Sequence, residues 1–322
     1  MRTARRVRAC AAVSSLRRRC KITARLSWIT AGTPKFLPKG ISPPSGTPLF
    51  GPARCSGTFP ASGTPCWTGI LLSPLPPTDP KSSMRWIYIS PHLDDAIFSA
   101  GGLMYEQSAA GHVVEVWTLF SGLPSGESVS PLAADIQSQW GFRSADETVR
   151  SRRDEDRRAV EIVGARATHF DFSDCIYRSG SNGGWLYSDT FAPPHPDDDG
   201  LFARLTDSIA RRLRPDDILL CPLAIGSHVD HVLARRAAER LGWFLLYYAD
   251  IPYLLENPSA LDPIENSMRS ETKAISKKGL AAWQDSAAAY ASQIPMEFDN
   301  KRKLRKAIAR YGKPGIRLWS LP

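Results

Sequence analysis

The sequence predicts an α/β protein: a Rossmann-like, mostly parallel sheet with helices on both faces, preceded by a disordered N-terminal extension. Three observations carry that expectation. From Arg85 onward, short β-rich runs alternate with longer stretches of helical periodicity. The alternation recurs along most of the chain, as a parallel sheet covered on both faces requires. The first eighty residues have neither pattern.

Taken in order, "RWIYIS" (85–90) reads as the first strand and Ala96–Ala110 as the helix after it. "VVEVWTLF" (113–120) is a second strand, followed by a polar loop. A helical pattern then runs from about Asp146 to Val163, and "THFDF" (168–172) is a third strand. Gly180–Gly200 is rich in Gly, Pro and Asp and lacks periodicity, a length that marks a lid or binding loop. Leu201–Leu213 is an amphipathic helix, "DILLCPL" (217–223) a strand, Val229–Leu241 a helix and "WFLLYY" (243–248) a strand. The tail holds one more helix, "LAAWQDSAAAYASQI", then a basic helical piece and "GIRLWSLP".

Charge divides the chain into the same two parts. Residues 1–80 hold twelve Lys or Arg and one acid, Asp79, which leaves 29 basic and 31 acidic residues for the body. A nearly neutral body argues against nucleic acid as a partner. The start, "MRTARRVRACAAVSSLRRRCKITARLSW", has a transit-peptide composition, but its arginines break any apolar stretch a secretory signal would need. The Pro/Gly/Ser-rich stretches that follow cannot support a packed core. Residues 1–83 are therefore expected to be disordered, or to lie upstream of a native start at Met84, with 84–322 as the functional domain. No stretch approaches the ~20 apolar residues of a membrane span. Cys175 and Cys221, the two cysteines of the body, lack zinc-finger spacing and read as reduced thiols, which fits a cytoplasmic location.

Three stretches pair histidine with aspartate: "PHLDDA" (91–96), "PPHPDDDG" (193–200) and "GSHVDH" (226–231). In open parallel sheets, ligands sit beyond the carboxyl ends of the strands. His92, Asp94 and Asp95 follow the first strand; His228 and His231 follow the strand at 217–223. Both groups should meet at one sheet edge. His195 lies deep in a loop between prolines, and its aspartates are expected to start a turn and cap the next helix. Zinc accepts imidazole and carboxylate donors, and a catalytic site keeps a position open for water. His92 and Asp95 can turn onto one ion, one of His228 and His231 can complete the set, and Asp94 is left to take a proton. The bland alternative makes Asp94 or Asp95, and likewise His228, a simple helix-start residue.

"YISPHLDDAIFSAGG" together with "GSHVDH" resembles the LmbE/PIG-L family of zinc-dependent N-acetylglucosaminyl deacetylases, from about Met84 to the end. The resemblance implies His92, Asp95 and His231 as metal ligands, for Zn2+ or another divalent cation such as Fe2+. It implies Asp94 as general base and His228 as the group that polarises the amide or protonates at it, with Asp230 orienting it. Arg152, in "RRDEDRRAVEIVGA", and Asp174, in "DFSDCIYR", are implied as substrate-binding residues. Leu93 and Ala96 depart from the family's usual Pro and Glu; neither is an implied ligand. The implied substrate is an N-acetylglucosamine-type sugar or conjugate. Two other functions stay open: a carbohydrate-binding protein without turnover, and a metal hydrolase acting on another amide or an ester. Trp185 and Tyr187, in the long loop, either stack on sugar rings or anchor the loop. "SAGG" (99–102) lacks the spacing of a dinucleotide fingerprint.

Overall fold

The structure, a computed structural model, describes residues 83–322 apart from 125 and 127. The expectation for residues 1–83 therefore lies, Ser83 aside, outside the described residues. Arg85–Ser90 forms β1, whose Ile87, Tyr88 and Ile89 are wholly buried. Such a run, apolar towards both faces, is what the centre of a parallel sheet demands. The helix α1, Asp95–Ala109, leads to β2, Val113–Thr118. Next come α2 (Pro131–Trp140), α3 (Ala145–Ile162) and β3 (Arg166–His169). After the long loop come α4 (Asp199–Ala210), β4 (Ile218–Pro222), α5 (Val229–Glu239) and β5 (Leu245–Tyr248). The last part holds β6 (Arg269–Lys273), α6 (Lys277–Ala287), α7 (Lys301–Gly312) and β7 (Ile316–Ser320).

Among the described residues, seven strands form one sheet in the order β3-β2-β1-β4-β5-β7-β6. β1 to β5 are parallel, with Tyr88 beside Val116 on one side and Leu220 on the other. β7 runs antiparallel to β5, and β6 antiparallel to β7. The chain builds outward from β1 towards β3, then returns to build from β4 towards β5. Right-handed crossovers made in opposite directions place their helices on opposite faces. The reversal leaves a crevice between the carboxyl ends of β1 and β4, the usual place for a ligand.

Two parts of the sequence reading need correction. The stretch after β2, read as a polar loop, contains α2, started by Ser130 accepting from the Ala133 amide and by Pro131 in the first turn. The antiparallel edge was not anticipated: β6, "RSETK", is exposed over four of its five residues and carries no apolar pattern. In "SAGG", Gly101 and Gly102 lie within α1, where a Cβ would meet the Trp283 ring at 2.6 and 2.9 Å. Their smallness lets α1 and α6 close, and the Trp283 indole N–H donates to the Ile97 carbonyl at 2.6 Å. No described helix is long and apolar enough to cross a membrane.

Candidate metal centre

Three residues that open the turn and helix after β1 meet three that open α5 after β4. His92, Asp94, Asp95, His228, Asp230 and His231 are all buried. The turn leading to His228 is tightly bent: Ala224, Gly226 and Ser227 have φ of 57°, 89° and 61°. Two non-glycine residues in the left-handed region cost energy that the surrounding packing must hold. At Gly226 a Cβ would stand 2.8 Å from the Tyr253 ring, so glycine is required twice over.

Hydrogen bonds fix which ring nitrogens are free. His231 Nδ1 lies 2.6 Å from Asp250 Oδ1, at the end of β5, which leaves Nε2 directed at Asp95 Oδ2, 3.3 Å away. His92 Nε2 lies 3.0 Å from Asp230 Oδ2, and its Nδ1 is 3.2 Å from the same Asp95 oxygen. Each imidazole thus gives its N–H to a carboxylate and turns its other nitrogen inward, the outer-shell arrangement of metal-binding histidines. Donors bound to one tetrahedral ion at about 2.0–2.1 Å stand about 3.3 Å apart. One nitrogen from each of His92, His228 and His231 falls within 4.8 Å of the others.

The charges fit a cation. Asp94, Asp95, Asp174, Asp230 and Asp250 are buried, and among the described residues Arg152 pairs with Asp94 and Arg178 with Asp230. Burial lowers the His231 pKa, but the Asp95 charge and the Asp250 hydrogen bond outweigh it and push the value up to about 9. Burial likewise opposes protonation of His92, yet Asp174, Asp230 and Asp95 hold it well above the ordinary range. The carboxylate charge that favours a proton on these rings would equally favour a dication beside them. Among the described residues, buried His231 Nε2 has no hydrogen-bond partner, its 3.3 Å approach to Asp95 Oδ2 being an ion-pair contact. Such an atom calls for an explanation, and a divalent cation supplies it.

The other site residues surround this cluster. Asp94 stands at the start of α1 without capping it, and its Oδ2 accepts from Arg152 at 3.4 Å. Burial, against the pull of Arg152, raises its carboxyl well above the usual range. His228 caps α5: its Nδ1 accepts from the Asp230 amide at 3.2 Å, so a neutral ring carries its proton on Nε2. Burial and the charges of His92 and His231 push its pKa well below the ordinary value. The orienting role expected of Asp230 is divided differently: its backbone N–H serves His228, while its carboxylate takes His92, the Cys175 amide and Arg178. Arg152 is buried and lies over the Trp140 ring at 4.4 Å, so it is not on a solvated helix face. Asp174 starts a helical turn at Cys175–Tyr177 and its Oδ2 lies 3.8 Å from His92 Nε2.

His195 lies away from the cluster, its Nδ1 accepting from the Asp197 amide. Capping by its aspartates is overturned: Asp198 precedes α4 but makes no side-chain cap, because it accepts from Tyr187 Oη at 2.5 Å and pairs with Arg178. Tyr187 is therefore a buried loop anchor, whereas Trp185 is 38% exposed. Three residues escaped the sequence reading. Asp250 stands just past β5 at the same sheet edge, so the placement rule could have found it. Arg178 closes "DCIYR" and offered no signal. Phe191, 47% exposed, stands edge-on to His228 and Tyr253 with ring centroids 5.9 and 6.0 Å away.

Comparison with known proteins bears on this arrangement. The family described as PIG-L: GlcNAc-PI de-N-acetylase matches residues 87–241. A 2'-N-acetylparomamine deacetylase from Niallia circulans is 31% identical over 195 residues, covering 54% of this chain and 69% of that protein. The protein of the same name from Streptomyces fradiae is 29% identical over 177 residues, 52% of this chain and 57% of its own length. Among solved structures, a deacetylase–bog complex from the biosynthesis pathway of teicoplanin is similar with a TM-score of 0.65 and 26% identity, covering 74% of this chain and 98% of the other. A deacetylase–teicoplanin complex gives 0.63 and 26%, over 74% and 97% of the two chains.

Proposed function

The chain belongs to the PIG-L family and is a hydrolytic N-deacetylase; from that premise we propose that it removes the N-acetyl group of an N-acetylglucosamine-type sugar or sugar conjugate, with Zn2+ at its centre. The observation that carries the proposal is the convergence of His92 Nδ1 and His231 Nε2 on one oxygen of Asp95, with Asp94 and His228 beside them. His92, Asp95 and His231 would hold the ion. When bound, it supplies Lewis-acid polarisation of the acetamide carbonyl and acidifies the attacking water.

The protein's own groups do the rest. Asp94, which ligates nothing, accepts the proton of the water as it attacks the carbonyl carbon. Its contact with Arg152 keeps the carboxylate oriented. His228 is held neutral by its surroundings and presents Nε2–H, a donor for the oxygen on which negative charge grows. The proton taken by Asp94 then goes to the amide nitrogen, the C–N bond breaks, and acetate and the free amine leave. Arg152 and Asp174 are the proposed polar contacts to substrate. Phe191, at the exposed side of His228, offers an apolar surface to the sugar ring. A reducing cytoplasm is the proposed compartment, since Cys175 and Cys221 are free and buried.

An acetate-release assay tests this reading. The purified chain is offered N-acetylglucosamine glycosides, N-acetylated aminoglycosides and an ester and peptide-amide control, before and after chelation and with Zn2+ or Fe2+ added back. Acetate from an N-acetyl sugar, lost on chelation and restored by the ion, is expected. Release only from the controls, or release that chelation leaves intact, refutes the proposal.

A further inference from the structure

Arg178 takes no part in the chemistry just described, yet its guanidinium is buried between two parts of the molecule. On one side its Nη2 donates to Asp230 Oδ1 at 2.5 Å. On the other its Nε lies 3.2 Å from Asp198 Oδ2, the carboxylate that also receives the Tyr187 hydroxyl. The flat cation lies 5.2 Å from each of the Phe120 and Tyr187 ring centroids. Its Nη1 reaches the Ser173 carbonyl at 3.3 Å. Asp230 has no solvent exposure, and its second oxygen is the acceptor that holds His92 Nε2.

We propose that Arg178 is a positioning residue of the metal centre: it fixes the Asp230 carboxylate that turns His92 Nδ1 towards the cation, and it ties the Gly180–Gly200 loop to that arrangement. The inference rests on the cation reading above. Three features support it. The hydrogen bond to Asp230 uses the oxygen that His92 does not, so the carboxylate is held from both ends. The guanidinium serves Asp230 by a hydrogen bond and Asp198 by charge, since its Nε lies 3.2 Å from Asp198 Oδ2 but has no hydrogen-bond partner among the described residues. Finally, both acids belong to segments that start helices, Asp198 before α4 and Asp230 in the first turn of α5, so the guanidinium links two backbone elements.

The test is cation affinity, read by competition of Zn2+ and Co2+ between the full chain and a chromophoric chelator. A His231→Ala chain gives the background from other ligands, and circular dichroism follows folding. Removing an outer-shell partner typically costs 10–100-fold in metal affinity. Arg178→Met should therefore bind the ion about 10–100-fold more weakly, and Asp198→Asn should weaken it by a smaller factor. Arg178→Lys keeps the charge but not the fork, and should recover part of the affinity. Wild-type affinity in a folded Arg178→Met overturns the positioning role alone. If that variant fails to fold, Arg178→Lys decides: weakened binding supports the role, and wild-type binding overturns it. A wild-type chain that binds no more ion than His231→Ala overturns the cation site itself, and the role with it.

Discussion

Asp94 and Asp95 are neighbours with the same side chain and nearly the same burial, and their surroundings drive them in opposite directions. Despite burial, His231 and His92 hold Asp95 well below the usual carboxylate range, whereas burial lifts Asp94 well above it. Two carboxyls separated in this way can divide ligand and proton-acceptor duties. Asp94→Asn should accordingly leave ion stoichiometry unchanged and lower turnover by about 10²–10⁴-fold, the usual contribution of a general base; elemental analysis and acetate release on one preparation check both halves. Equal turnover in the variant removes Asp94 from its role. The meeting of His92, Asp95, His228 and His231 at one sheet edge was legible in the sequence, because they follow the first strand and the strand at 217–223. Arg178 was not, since its partners Asp230 and Asp198 lie 52 and 20 residues further along and only the fold brings them together.

At the level of elements, α1 and α6 pack through two glycines under one tryptophan. Alanine is the better helix former by about 1 kcal/mol, but its methyl group at residue 101 would stand 2.6 Å from Trp283 Cδ1. Overpacking of that kind costs about 1–3 kcal/mol. Gly101→Ala should therefore lower the unfolding temperature, by differential scanning calorimetry; an increase would show that the indole yields freely. The long loop allows a second test. It is fastened to α5 by the Val229 amide on the Thr190 carbonyl at 2.9 Å, and this holds Phe191 beside His228. Phe191→Ala should raise KM several-fold for N-acetyl sugars with little change in kcat, as steady-state kinetics will report. The elements differ in how readable they were. β1, β4 and β5 were found because strands buried on both faces must be apolar throughout. β6 escaped because an exposed edge strand has no such constraint, and α2 because Ser-Pro before a weak apolar pattern is a helix start hidden in a polar stretch.

For the whole molecule, the centre makes stability depend on both pH and cation. The unfolded His231 titrates near 6.5 and the folded one near 9 without an ion. A raised pKa contributes stability fully below 6.5 and loses it as pH climbs through about 9. His228 has the opposite sign: its depressed value withdraws stability as pH falls below 6.5. The chelated protein should thus unfold most readily at either side of pH 6.5, whereas a bound ion, which needs no proton on His231, should flatten the alkaline side. Thermal unfolding from pH 5 to 9.5, with and without chelator, measures this; identical profiles would disprove it.

The sheet order has a last consequence for how the molecule is made. β1 emerges early in synthesis and brings His92 and Asp95, but its neighbour β4 and the turn into α5 come more than a hundred residues later, and Asp250 later still. A ribosome that has released only the first half of the sheet has made an incomplete set of donors. With the proposed ligands, capture of the ion must wait until α5 has been made, so a nascent chain that stops before β4 lacks the third donor.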